Sequence, residues 1–143
     1  MTSVSFRSMS ELYKIFSFCL EMERNSPSFS TGMIWIKKVG YYHLTKPKTK
    51  ADDWILVLDE SIGIGQEKLL VILGIRESQI DFTRPLRIQD MQPILIKSKK
   101  NWTGEVVAKE LEAIKPIVGG IKYATTDGSS MLKKSLRLSN IDH

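Results

Sequence analysis

A chain of 143 residues, 42% hydrophobic and 26% charged, has the composition of an ordinary globular domain. Its single cysteine, Cys19, excludes an internal disulfide and suits a reducing cytoplasm. No apolar run approaches the roughly 20 residues of a membrane span, and a formal net charge of +5 permits a nucleic-acid partner without requiring one.

The first ten residues, MTSVSFRSMS, lack the apolar core of a secretory signal. The predicted location is therefore cytoplasmic, with no membrane partner. Met9, Leu12, Phe16, Cys19 and Leu20 recur at helical spacing and predict a helix over 8–22, capped by Ser8 or Ser10. Arg24-Asn25-Ser26-Pro27 predicts a turn. A second helix is expected over 29–39, with Phe29, Met33, Ile36 and Val39 on its inner face. Lys37 and Lys38 fall in its last turn, and Gly40 is placed to end it. Two short helices joined by a polar turn suit either a helix-turn-helix on DNA or a plain hairpin packed on its neighbour.

Residues 41–53 read as a connection, and Lys46-Pro47-Lys48-Thr49-Lys50 within it is basic and broken by proline. It either tracks phosphates or is a solvated connector. The run Trp54 to Leu58 (WILVL) predicts a strand buried on both faces, ending at Asp59. Gly63 and Gly65 turn the chain into a second apolar strand over 69–75. Residues 76–91 have no clear period and predict a loop. Pro93 to Lys97 predicts a third strand. Thr103 is placed to cap a helix bearing Val106, Val107, Leu111 and Ile114 on one face, with Pro116 as its stop. Gly119-Gly120 is a break before a fourth strand, 121–126, which ends at Asp127-Gly128. A last helix runs over about 129–138, with Met131, Leu132 and Leu136 inward and Lys133, Lys134 and Arg137 outward.

The order strand, strand, strand, helix, strand, helix suits a meander followed by a crossover to a parallel neighbour. Asp59 and Asp127 each end a strand. If those two strands are parallel neighbours, the carboxylates emerge side by side. Like charges so placed raise one another's pKa, and a divalent cation removes that penalty. Each residue alone also has a plainer reading: Asp127 as a helix cap and Asp59 as the start of a turn. His43 and His143 lack metal-ligand spacing and are expected on the surface, and Trp35 and Trp102 are expected as packing residues.

Leu58-Asp59-Glu60-Ser61, the segment 62–75 (IGIGQEKLLVILGI) with its Gly-Gln turn before the second strand, and Thr125 to Leu136 (TTDGSSMLKKSL) resemble a group of bacterial DDE transposases. The upstream residues Pro27-Ser28-Phe29, Trp35 and Gly40 to Thr45 are similar to the helix-turn-helix end and linker of the same group. The resemblance implies an α/β protein: a helix-turn-helix-like segment at 1–45, a basic linker at 46–53 and a partial ribonuclease H-like mixed sheet at 54–143. It implies Asp59 and Asp127 as catalytic residues and ligands of Mg²⁺ or Mn²⁺, acting on transposon-end DNA by two-metal phosphodiester chemistry. Lys37, Lys38, Lys46, Lys48 and Lys50 would contact phosphate rather than bases.

The third acidic residue of the triad has no counterpart: Glu105, Glu110 and Glu112 precede Asp127, and Asp142 follows too soon. The expectation is an N-terminal portion of a longer transposase, weakly active or inactive alone and prone to form a homo-oligomer through exposed apolar surface. A DNA-binding protein without cleavage is the alternative. An unrelated nuclease or interaction domain would follow if Asp59 and Asp127 lay far apart.

Overall fold

The computed structural model describes residues 5–21, 26–61 and 65–143. The chain divides into two compact units, Met1–His43 and Leu44–His143. In the first, α1 (Phe6–Cys19) is capped by Ser5, whose hydroxyl accepts the Ser8 N–H at 3.1 Å. The helix thus starts ahead of the predicted Ser8 or Ser10 cap. Ser10 instead donates through Oγ to the Pro27 carbonyl at 2.9 Å, and Ser26 donates to the Ser10 carbonyl at 2.9 Å. The rest of the predicted helix end and turn, 22–25, lies outside the described residues.

The second helix, α2 (Phe29–Thr45), starts where predicted but runs through Gly40. Residues 41–45 contain no helix breaker. The stop is Pro47, whose ring disfavours helical backbone at Lys46. The stripes predicted to face inward are outward: Leu12, Phe16, Phe29, Ile36 and Val39 are all exposed. Trp35, expected as a packing residue, is 52% exposed. Among the described residues of α1 and α2, Gly32 alone is buried.

The second unit holds β1 (Ala51–Ser61), β2 (Lys68–Arg76), β3 (Gln92–Lys99), α3 (Gly104–Val118), β4 (Gly119–Thr126) and α4 (Ser130–Leu138). This is the predicted order. The four strands form one sheet in the sequence β3-β2-β1-β4. The pairs β1/β2 and β2/β3 are antiparallel, and β1/β4 is parallel. The fold is α/β with a mixed sheet.

β1 is longer than the apolar run that announced it. Asp52 and Asp53 belong to the strand, not to a linker. Asp53 accepts from Arg76 Nε at 2.8 Å and from the Ser78 N–H at 3.1 Å. The Arg76 bond holds its carboxyl well below the usual carboxylate range. β1 is also not buried on both faces. Trp54, Leu56 and Leu58 are fully covered, as are their neighbours Leu70 and Ile72. They pack on Val107, Leu111, Ile114 and Val118 of α3 and on Leu132 and Leu136 of α4. The alternating residues Ile55, Val57, Val71 and Leu73 are half-buried on the other face.

The loop between β2 and β3 carries two 3₁₀ turns, Glu77–Gln79 and Ile88–Asp90. Arg84 grips both Asp90 oxygens at 2.7 Å. Thr103 caps α3 as predicted, its hydroxyl accepting the Val106 N–H. The helix nonetheless passes Pro116. Proline there removes one bond in the last turn, while Val118 beyond it is fully buried in the core and the Gly119 N–H still reaches the Lys115 carbonyl. The predicted break at Gly119-Gly120 is the first part of β4. Gly119 takes φ +99°, and a Cβ there would stand 2.5 Å from the Ala51 carbonyl oxygen.

At the other end of the unit, Asn140 (φ 50°) closes α4. The Asn140 N–H donates to Arg137 O at 3.2 Å and the Ile141 N–H to Leu136 O at 3.1 Å, with Ile141 buried. This left-handed helix stop turns the chain back, and the Ala124 N–H donates to Asp142 O at 2.9 Å. Among the described residues, no helix is long and apolar enough to cross a membrane.

Gly119→Ala is expected to lower unfolding stability by about 2 kcal/mol or more, since it adds a backbone clash to left-handed strain. Gly65→Ala (φ +71°, with nothing within 4 Å of the new Cβ) should cost only about 1–2 kcal/mol. Urea titration of the two variants separates the clash from the strain. Leu132→Ala should cost about 2–5 kcal/mol in the same assay.

Candidate functional site at the ends of β1 and β4

The parallel register sets Val57 opposite Thr125 and Leu58 opposite Thr126. Asp59 follows Leu58 within β1, and Asp127 follows Thr126, the last residue of β4. Leu58 points into the core, so alternation turns Asp59 to the opposite face, where it is exposed. Asp127 is exposed as well. The two acidic residues singled out by the sequence thus lie toward the same end of two neighbouring parallel strands, Asp59 within β1 and Asp127 just past the end of β4.

Local hydrogen bonds build the turn that carries Asp127. Thr126 Oγ1 accepts the Gly128 N–H at 3.2 Å, and Asp127 Oδ1 accepts the Ser129 N–H at 2.9 Å. Gly128 supplies the positive φ of +91° that the reversal needs. Asp127 is therefore not the cap of α4; Ser129 is. Among the described residues the Asp59 side chain has no hydrogen bond or ion pair. Its neighbour Glu60 points the other way and pairs with Lys68 at 2.9 Å. The predicted turn glycine Gly63 lies outside the described residues, and Gly65 has the left-handed φ a turn requires.

The cations of α4 do not behave alike, a distinction that the helical pattern alone did not make. Lys134 pairs with Glu105 at 2.5 Å. Lys133 is half-buried, and its Nζ stands 3.9 Å from the point a Cβ on Gly128 would occupy. It belongs to the first turn of a helix that follows the acidic turn directly. That short spacing is the signal in the sequence that could have found it.

The five lysines expected on phosphate are divided between the units. Lys37 and Lys38 are exposed on α2 in the first. Lys46, Lys48 and Lys50 lie in the connection 46–50, in the second. Lys48 is partly buried, and burial followed by the charge of Lys46 lowers its pKa. Trp102 is buried as expected and donates through Nε1 to the Lys68 carbonyl at 2.9 Å, while Lys99 Nζ sits 5.8 Å from its ring centre. His43 and His143 are exposed, His43 edge-on to Tyr42 with ring centres 5.6 Å apart.

Two carboxylates on adjacent strand ends are hard oxygen donors, the kind that Mg²⁺ or Mn²⁺ takes together with water and phosphate. Among the described residues there is no group of three or more His, Cys, Asp or Glu able to hold a metal. The donor set fits a cation shared with a substrate phosphate better than a closed protein cage.

Glu105 offers a local test of the charge arrangement. The hydrogen bond from Lys134 holds its carboxyl down from 4.5 to about 2, helped by its own backbone N–H and by Thr103. The stability this contributes is complete above about pH 4.5 and is lost as pH falls through about 2. Lys134→Met should move the Glu105 midpoint up toward 4.5 in a carboxyl NMR titration. An unmoved midpoint would exclude the pair. No protein-family model, curated protein or solved structure matches this chain.

Proposed function

We propose that this chain is a DDE-transposase-like protein with a ribonuclease H-like sheet, in which Asp59 and Asp127 serve DNA phosphodiester chemistry. One observation supports the reading: β1 and β4 are parallel neighbours, and Asp59 and Asp127 each directly follow the last pair of their register, Leu58 opposite Thr126. A four-stranded β3-β2-β1-β4 sheet with a single parallel pair is the part of a ribonuclease H-like fold to which such residues belong. Asp59 and Asp127 would hold Mg²⁺ or Mn²⁺, which supplies activation of the attacking oxygen and stabilisation of the leaving one. The chain's own contribution is to hold the backbone of Asp59 in a strand and the carboxylate of Asp127 in a hydrogen-bonded turn. Asp59 is held within the sheet ladder, and Asp127 by its bond from Ser129. The helical pair and its lysines Lys37 and Lys38, with the connection lysines Lys46, Lys48 and Lys50, would engage the DNA backbone.

A second reading, DNA binding without cleavage, is favoured by the donor set described above, which contains two acidic residues where the resembled group uses three. One pair of assays separates the readings. Mn²⁺ binding is followed by water-proton relaxation, and nicking of supercoiled plasmid by gel. Asp59→Asn and Asp127→Asn are each expected to weaken Mn²⁺ binding by at least about a hundredfold and to abolish nicking. Plasmid retention without nicking by the unaltered chain would select the second reading. Mn²⁺ binding unchanged in both variants would overturn the first.

A further inference from the structure

We propose that the residues after α4, Ser139 to Asp142, are a latch on the outer edge of β4, and that they keep a second copy of this chain from pairing there through its own β4. The inference is independent of the acidic residues and of any catalytic reading.

The outer edge of β4 is suited to pairing. β4 is the last strand on its side of the sheet and has β1 as its neighbour. Strand residues direct their backbone groups alternately to the two sides, so one row of β4 points away from β1. The side chains defend that row poorly. Ile121, Tyr123, Thr125 and Thr126 favour extended backbone, and no proline interrupts the strand. Lys122 is its one charged residue, and Glu77 takes that ammonium at 2.6 Å. The strand at the other side of the sheet, β3, has Pro93, Lys97 and Lys99. An edge of the β4 kind pairs readily with another like it. A twofold axis would set two copies of β4 antiparallel, each offering the other the same row.

The residues after α4 stand in the way. The outward Ala124 N–H donates to the Asp142 carbonyl at 2.9 Å. One hydrogen bond is a weak hold, and the anchors lie elsewhere. Asn140 turns the chain with φ 50°. Ile141 is buried in the core cluster. Ser139 is buried too; its Oγ donates to the Ala108 carbonyl at 3.4 Å, and its own carbonyl accepts from Lys115 Nζ at 2.8 Å. The latch is thus fastened to α3 and the core, and it reaches β4 at one donor. An incoming strand would have to displace Asp142 and pull against the burial of Ile141.

The test uses the full chain and two unlatched variants. Ile141→Asp makes burial of the anchor unfavourable, and removal of residues 141–143 takes away the anchor and the Asp142 carbonyl together. Sedimentation velocity is run across the micromolar range, and exchange of the Ala124 amide is followed by NMR. The unaltered chain should protect that amide. Each unlatched variant should sediment at twice the mass of the unaltered chain, with Ala124 exposed when dilute and protected again when associated. Circular dichroism checks folding, and removal of residues 142–143, which leaves Ile141 in place, is used if either variant misfolds.

Folded variants that keep the mass of the unaltered chain would overturn the proposal. So would a doubled mass with Ala124 still exchanging freely, since the contact would then lie away from β4. An unaltered chain whose Ala124 amide exchanges as fast as that of the dilute variants would mean that no latch is closed, and would overturn it as well.

Discussion

Burial of one face of β1 against α3 and α4 determines where the rest of the second unit stands. Trp54, Leu56 and Leu58 each lose essentially all contact with water, and covering a large apolar side chain is worth about 1.5–3 kcal/mol. The helices that cover them flank β4 in the chain, so seating α3 and α4 on this face delivers β4 to the edge of β1. Ala124, itself buried, lies opposite Leu56 in the parallel register. The join is tight: α3 ends at Val118, and Gly119 is already paired with Ala51. The placement of the two aspartates is thus a by-product of apolar packing one to five residues away. Strand alternation then requires Asp59 to leave the core face that Leu58 occupies.

The surface charges gain meaning from how they are paired. Asp53 is taken by Arg76, Glu60 by Lys68, Glu105 by Lys134, Glu110 by Lys97 and Asp90 by Arg84. Pairs of this kind add little to stability, but each uses up a charge. Asp59 is one of several described charges left without such a partner, while Asp127 accepts from its own turn through one oxygen.

Much of this architecture was legible in the sequence because strong local signals agreed with the global fold. The apolar runs at 54–58 and 69–75 marked the two central strands, and Thr103 marked the start of α3. Element ends were less legible, because tertiary contacts decided them. Gly40 looked like a stop, yet no bond required the chain to turn there, and α2 ran on to meet Pro47. Pro116 looked like a stop, yet Val118 had a place in the core. Asp52 and Asp53 looked like linker residues, because nothing local reveals that Arg76 would bind one of them. The site was half legible. Asp127 follows the end of β4 as the pattern said, whereas β1 runs on past Asp59 to Ser61 because the ladder to β2 continues there, and the parallel pairing of β1 with β4 is supplied only by the fold. The helical stripes of α1 and α2 were correctly apolar, but periodicity says which residues share a face and not whether that face is covered.

The bond from the Ala124 N–H to Asp142 O bears on how the margin of the sheet is protected. A sheet margin with unpaired backbone is a template on which another strand can grow. Here the residues after α4 satisfy one outward donor of β4, and charged Lys122 lies on the same strand. At the opposite margin β3 carries Pro93, which has no N–H to offer, and Lys97 and Lys99. Both margins are thus blunted against ribbon-like growth.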